Sequence, residues 1–140
     1  MTLDERIEEI VEEFSLFDDW LGKYEYLIEL GRSLPVLDDA FKTEAFRIHG
    51  CQSQVWVRGE RDVDTVRCKA DSDAIITKGL IALLIRVLDD QPTDVIVTAD
   101  FAFLDEIGLK EHLSPTRKNG LSAMVQRMKA YARSLDDTPA

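Results

Sequence analysis

Reactive side chains are scarce in this chain: Cys51, Cys68, His49 and His112 are all the cysteines and histidines among its 140 residues. Two cysteines cannot staple a disulfide-rich scaffold or fill a four-cysteine zinc site, and they lack CxxC spacing. An iron–sulfur cluster held by three cysteines cannot be built from them either. Long apolar runs are missing as well. The longest, Gly79 to Ile85, is far too short to span a bilayer. The N-terminus turns acidic at once, at Asp4 and Glu5, where a signal peptide would need a basic start followed by an apolar segment. Basic residues are outnumbered 17 to 27, giving a net charge of −10. Such a chain repels phosphates at long range, so neither nucleic acid nor an anionic membrane is expected as a partner. A cytoplasmic location with protein partners fits this charge. No Walker loop, Rossmann glycine fingerprint or HExxH motif occurs.

What the chain does hold is an ordinary globular share of apolar residues, 45%, in a length that suits one domain over 1–135 with a frayed tail at 136–140. Thr2 and Glu5 form a capping-box pattern, and Ile7, Ile10, Val11 and Phe14 recur at helical spacing, predicting a helix over Leu3 to Phe14. Asp18 or Asp19 opens a second helix ending at Gly31. Pro35 breaks the chain before an acidic connector, Leu37 to Ala40. The period then changes: Phe46, Ile48, Val55 and Val57 alternate with polar residues and predict two antiparallel strands joined by the loop Gly50-Cys51-Gln52-Ser53-Gln54. A turn over Gly59–Asp64 and a third strand over Thr65–Ala70 complete a small sheet. Asp71 or Ser72 caps the next helix, which is apolar nearly all round from Ala74 to Ile85 and so the most buried. Pro92 closes that region. A short helix over Phe101–Ile107 stops at Gly108, and Ser114-Pro115 opens the last helix, whose inward stripe is Leu121, Met124, Val125, Met128 and Tyr131. Helices, then strands, then helices without alternation predict an α+β domain.

Between the two cysteines the local patterns differ. Cys68 alternates with Arg67 and Lys69 and shares the apolar face of a strand with Val66, so it reads as core filler. Cys51 sits among a glycine and small or amide side chains, in a loop where surface exposure is the rule. Gly50 can adopt backbone conformations that aim the next side chain, and Gln52 and Gln54 offer hydrogen bonds without a competing acid or base. Arg47, His49 and Arg58 stand close in sequence and favour a thiolate if the strands turn them inward. His49 is either such a neighbour or a solvated strand-end residue. A cysteine hydrolase would need a base beside Cys51, and His112, at what reads as an exposed helix end, has no specific link to it. Thiol exchange needs only an accessible thiolate and a donor sulfur, so the pattern points to a reactive, loop-borne thiol that works with a partner protein.

The segment Gly50-Cys51-Gln52-Ser53-Gln54-Val55-Trp56 resembles the SufE family of sulfur acceptors in iron–sulfur cluster assembly. The resemblance extends, in order and at similar spacing, through Trp20 to Gly31, Leu34-Pro35, Asp71 to Ala74 with Lys78-Gly79-Leu80, and His112 to Leu121. It implies a SufE/IscU-like α+β fold, a small antiparallel three-stranded or slightly larger sheet packed on helices. It also implies a mechanism in which Cys51 takes sulfur as a persulfide from a PLP-dependent, SufS/CsdA-like cysteine desulfurase and passes it to an iron–sulfur scaffold complex. The chain is then an accessory sulfur carrier rather than a stand-alone enzyme, a monomer or weak homodimer that binds no cofactor or metal, since PLP belongs to the desulfurase. Arg117 matches a family arginine able to stabilise a thiolate or persulfide anion. Gly50, Gln52, Ser53 and Gln54 match loop-shaping positions, with Gly50 as a hinge for a loop that is partly sheltered when free. Asp73 matches an acid that caps the buried helix or touches the partner. The alternative is a non-catalytic docking or regulatory module on the same desulfurase.

Overall fold

A threonine opens the first helix as its sequence predicts. In the computed structural model, which describes residues 2–50 and 53–136 apart from the side chains of Lys110 and Asp136, Thr2 Oγ1 accepts the Glu5 N–H at 3.2 Å while the Glu5 carboxylate accepts the Thr2 N–H at 3.3 Å. Helix α1 (Leu3–Ser15) buries Ile10 and Phe14. Helix α2 (Trp20–Arg32) starts at Asp19, whose carboxylate accepts the Gly22 N–H at 2.9 Å. It runs one residue past the expected stop at Gly31.

Helix α3 (Ile75–Leu88) is the centre of the core, with ten of its 14 residues buried. Glycines let α2 lie directly on it. A Cβ at Gly79 would strike the Leu27 carbonyl, and one at Gly31 would stand 3.0 Å from the Gly79 nitrogen. Where α1, α2 and α3 meet, Arg86 pairs with Glu9 at 2.9 Å and with Glu13, and donates to the Tyr26 hydroxyl at 2.9 Å.

The sheet is three-stranded and antiparallel in the order β1-β2-β3. Strands β1 (Val55–Asp62) and β2 (Thr65–Ser72) form a hairpin paired from Val55↔Ser72 to Asp62↔Thr65. Its turn is therefore Val63-Asp64, not the longer Gly59–Asp64 segment. Gly59 belongs to the strand because the Tyr131 ring packs against it, with ring atoms 3.0 Å from where a Cβ would lie. The expected strand at Phe46–Ile48 shrinks to one bridge, Arg47↔Trp56, plus the Ile48 N–H donated to the Val55 carbonyl at 2.8 Å. Phe46 turns away into a 3₁₀ turn and meets Phe41 edge-on, at 5.4 Å between centroids. The third strand is instead β3 (Gln91–Pro92). It follows α3 closely because Asp89 and Asp90 bind back to β2, the Asp89 carboxylate accepting the Cys68 N–H at 2.7 Å and the Asp90 N–H reaching the Val66 carbonyl at 2.8 Å.

Three short helices follow, α4 (Thr93–Thr98), α5 (Phe103–Glu106) and α6 (Leu109–His112), the last begun at Gly108 in a left-handed conformation. Helix α4 has no counterpart in the sequence reading. Helix α7 (Pro115–Asp136) starts as predicted, with Ser114 Oγ accepting the Arg117 N–H at 3.3 Å. It buries Leu121, Met124, Val125 and Met128, with Tyr131 half-buried. Asp136 is still helical, and residues 137–140 of the expected tail lie outside the described residues. The architecture is α+β, and no described helix is long and apolar enough to cross a membrane.

Candidate functional site

The Gly50–Gln54 segment enters β1 between two fixed ends. On one side, Gly50 adopts φ +94°, a region that only glycine enters freely. A Cβ built there would be 3.5 Å from the Ala123 Cβ, so α7 lies against this end. On the other side, the Gln54 backbone is clamped from β2's exit. Its N–H donates to the Asp73 carboxylate at 3.0 Å. Its carbonyl accepts the Ser72 hydroxyl at 2.8 Å and the Asp73 N–H at 3.2 Å. Cys51 and Gln52, the two central positions of the sequence reading, lie outside the described residues.

These bonds correct the expected helix caps. Asp73 does not cap α3, because its carboxylate is taken up by Gln54. Ser72 Oγ accepts the Ala74 N–H at 3.3 Å, one residue before the helix, and α3 starts with no side-chain cap. Asp71 turns instead to Lys42 at 3.0 Å and Lys78 at 3.2 Å, tying the 39–46 connector to α3's first turn. Burial pushes the Asp71 carboxyl up, but hydrogen bonds from Lys42, the Ser72 N–H and Lys78 outweigh it and hold the group below its ordinary value.

Beside the loop lies a recess of about 60 Å³ whose walls include Ser53, Ala74 and Thr77 on one side and Thr116, Arg117 and Met124 on the other. That is small against the roughly 300–1,000 Å³ of ordinary small-molecule pockets. Three chain segments far apart in sequence thus meet here: the loop's end, the start of α3 and the start of α7. Both helices present their N-terminal ends, where peptide dipoles favour negative charge. Arg117 adds an exposed guanidinium with no ion-pair partner among the described residues. The arrangement suits a small anion.

The remaining reactive residues fall away from this recess. Cys68 is 8% exposed on the inner face of β2. Burial, and then the nearby Asp89 charge, push its thiol up to about 12, so it stays protonated and inert. His49 is exposed and sits 2.6 Å from the Glu44 carboxylate. His112 stacks on Trp20, with centroids 4.3 Å apart, and its carbonyl accepts the Tyr24 hydroxyl at 3.0 Å. That stack explains a histidine at this exposed helix end. The sequence reading missed Ser72 and Thr77 as parts of the site. Serine before a helix reads as a cap, and its bond to Gln54, 18 residues away, leaves no local trace.

A small antiparallel sheet under a buried helix, with Ser53 beside the starts of two helices, defines a class of α+β proteins. The family model described as the SufE Fe-S metabolism associated domain matches residues 8–132. SufE-like protein 1 of Arabidopsis thaliana, named as chloroplastic/mitochondrial, is 42% identical over 137 residues, which is 96% of this chain and 36% of that protein. The chain thus spans little more than a third of that relative. An uncharacterised SufE-like protein of Rhizobium etli is 36% identical over 132 residues, 91% of this chain and 89% of that one. Another, of Rhizobium meliloti, is 34% identical over 131 residues, with 90% and 94% covered. The solution structure of a hypothetical protein from Thermus thermophilus superposes with a TM-score of 0.80 at 23% identity, covering 95% of this chain and 97% of that one, and shares the fold. The chain belongs to the SufE family, and its function lies in iron–sulfur metabolism.

Proposed function

We propose that the protein is the sulfur acceptor and activator of a PLP-dependent cysteine desulfurase, with Cys51 as the carrier. The Cys51 thiolate attacks the outer sulfur of a persulfide on the desulfurase. A new S–S bond forms to Cys51, the donor's S–S bond breaks, and the donor cysteine leaves as thiolate. One sulfur atom moves, and no external oxidant or reductant is consumed. The persulfide is then handed to an iron–sulfur scaffold complex by the same exchange. PLP stays with the desulfurase, and this chain supplies only the thiol and its surroundings. The cytoplasm is the compartment assigned here.

The observation that carries this reading is the recess between the starts of α3 and α7, walled by Ser53 two residues from Cys51 and by Arg117. Helix dipoles and a guanidinium favour the anionic form of a thiol or persulfide brought there. Gly50 and the Gln54 clamp shape the loop, with Gly50 as its hinge and Asp73 close enough to the site to meet an incoming partner. A pure docking module on the same desulfurase is the competing reading, and it has no need of the cysteine.

Mixing the protein with a cysteine desulfurase and free cysteine, then measuring intact and peptide masses without reductant, separates the two. The expected result is one added sulfur on Cys51, and loss of desulfurase stimulation in Cys51→Ser. Full stimulation by Cys51→Ser, or sulfur found only on Cys68, overturns the proposal.

A further inference from the structure

Charge is shared unevenly along this chain. Between Pro115 and Leu135 stand five basic residues, Arg117, Lys118, Arg127, Lys129 and Arg133, and no acidic one. The rest of the sequence holds 12 of the 17 basic residues and all 27 acidic ones, a net charge of −15. Helix α7 is thus a cationic strip on an anionic molecule. Two of its charges are turned to the body: Arg127 donates to the Ala45 carbonyl at 2.7 Å and Lys129 to the Ala99 carbonyl at 2.9 Å. Arg117, Lys118 and Arg133 are exposed, with no ion-pair partner among the described residues.

One flank of this strip borders an apolar groove of about 320 Å³, walled by Phe101, Leu104, Leu121 and Val125. The groove is separate from the recess beside the loop, which lies on the Thr116, Arg117 and Met124 side of the same helix. Its rim is formed by the exposed side chains of Lys118, Ser122 and Gln126. Asp100 and Asp105 flank Phe101 and Leu104 in the sequence, yet neither lines the groove, and the Asp100 carboxylate accepts the Ala102 N–H at 2.9 Å. Lys129 bounds the far end, its Nζ 5.5 Å from the centroid of the Phe101 ring. Eleven helical positions separate Lys118 from Lys129, about 16 Å along the axis. An extended chain covers that distance in about five residues.

We propose that this groove docks an acidic segment of a partner protein, an extended stretch whose apolar side chains enter the groove while carboxylates at its two ends face Lys118 and Lys129. Charge complementarity selects this occupant, because α7 is the cationic part of a molecule that repels anions elsewhere. A nucleic acid has no apolar side chain to fill the groove and meets the surrounding negative charge over its whole length. Docking here needs neither Cys51 nor the sulfur-acceptor reading.

The probe is a fluorescein-labelled peptide, Glu-Glu-Leu-Val-Leu-Glu-Glu, titrated with the whole protein at low salt and followed by anisotropy and by amide shifts of the protein. Its controls are a peptide with lysine for each glutamate, one with serine for each apolar residue, and labelled oligo(dT). The acidic apolar peptide is expected to bind and to move the amide signals of residues 118–126, and the controls to do neither. Lys118→Glu is expected to weaken binding about tenfold, since attraction at the rim becomes repulsion. Ser122→Trp fills the groove from an exposed position and is expected to abolish binding. Lys69→Glu makes the same change in net charge on the exposed face of β2 and is expected to cost less than about twofold. Equal losses in Lys118→Glu and Lys69→Glu, wild-type binding by Ser122→Trp, or tighter binding of any control overturn the proposal. So does the absence of peptide binding up to about 1 mM. Shifts at 118–126 that follow protein concentration without peptide would assign the groove to a second copy of this chain and overturn it as well.

Discussion

Single residues at this site do work that their neighbours in sequence do not reveal. The family resemblance implies that Asp73 caps the buried helix or touches the partner. Its carboxylate goes instead to the Gln54 N–H, so it holds the strand end of the loop. Replacing it with alanine leaves the Ser72 bond in place and frees one amide. Hydrogen exchange at Gln54 is expected to rise by roughly tenfold, while global stability falls by no more than about 1 kcal/mol. Asparagine keeps an acceptor oxygen and should restore most of the protection. Unchanged exchange in Asp73→Ala would show that the clamp depends on Ser72 alone. The inward placement of Cys68, by comparison, is legible at this scale: alternation with Arg67 and Lys69 marks it as inward, and the structure buries it.

At the level of elements, periodicity located the long helices, while close approach and pairing stayed hidden. Helix α3 announces itself as the most buried by being apolar on every side, and α7 by Ser114-Pro115 and its stripe. The sheet leaves fewer local traces in the sequence. Strand β3 is two residues long and contains a proline, so it has no period to detect, and it exists because Asp89 and Asp90 fasten the end of α3 to β2. Gly59 looks like a turn until the ring of Tyr131, 72 positions further on, is seen to lie over it. Gly79 is a similar case within α3, where glycine should weaken the helix. Its reason is α2. In Gly79→Ala the new methyl group collides with the Leu27 carbonyl, a backbone atom that cannot rotate away. The two helices must separate, and chemical denaturation is expected to show a loss of about 2–3 kcal/mol despite alanine's better helix propensity. A neutral or stabilising Gly79→Ala would mean that α2 and α3 are not held at this distance.

For the whole molecule, a net charge of −10 raises the question of which carboxylates support the fold. Glu13 and Asp71 do. Burial pushes the Glu13 carboxyl up, but hydrogen bonds from Arg86 and Tyr26 more than offset this and hold it below its ordinary value. Asp71 is lowered by its lysines in the same way. A carboxyl lowered in the folded state contributes stability that is present above its unfolded pKa, about 4.3 for Glu and 3.9 for Asp, and is lost as pH falls through the folded value. The urea midpoint is therefore expected to be level from neutral pH to about pH 5 and to fall below about pH 4. Glu13→Gln should start lower at neutral pH and decline less steeply; an equally steep acid limb would assign the loss to other carboxylates. The recess has a further consequence, one of timing. Its walls are Ser53, the 74–77 turn and the 116–124 stretch, so during synthesis Cys51 leaves the ribosome long before Arg117 exists. At roughly 5–20 residues per second the gap lasts several seconds. Through that interval the recess lacks its second wall, and it exists only once α7 has been made and packed.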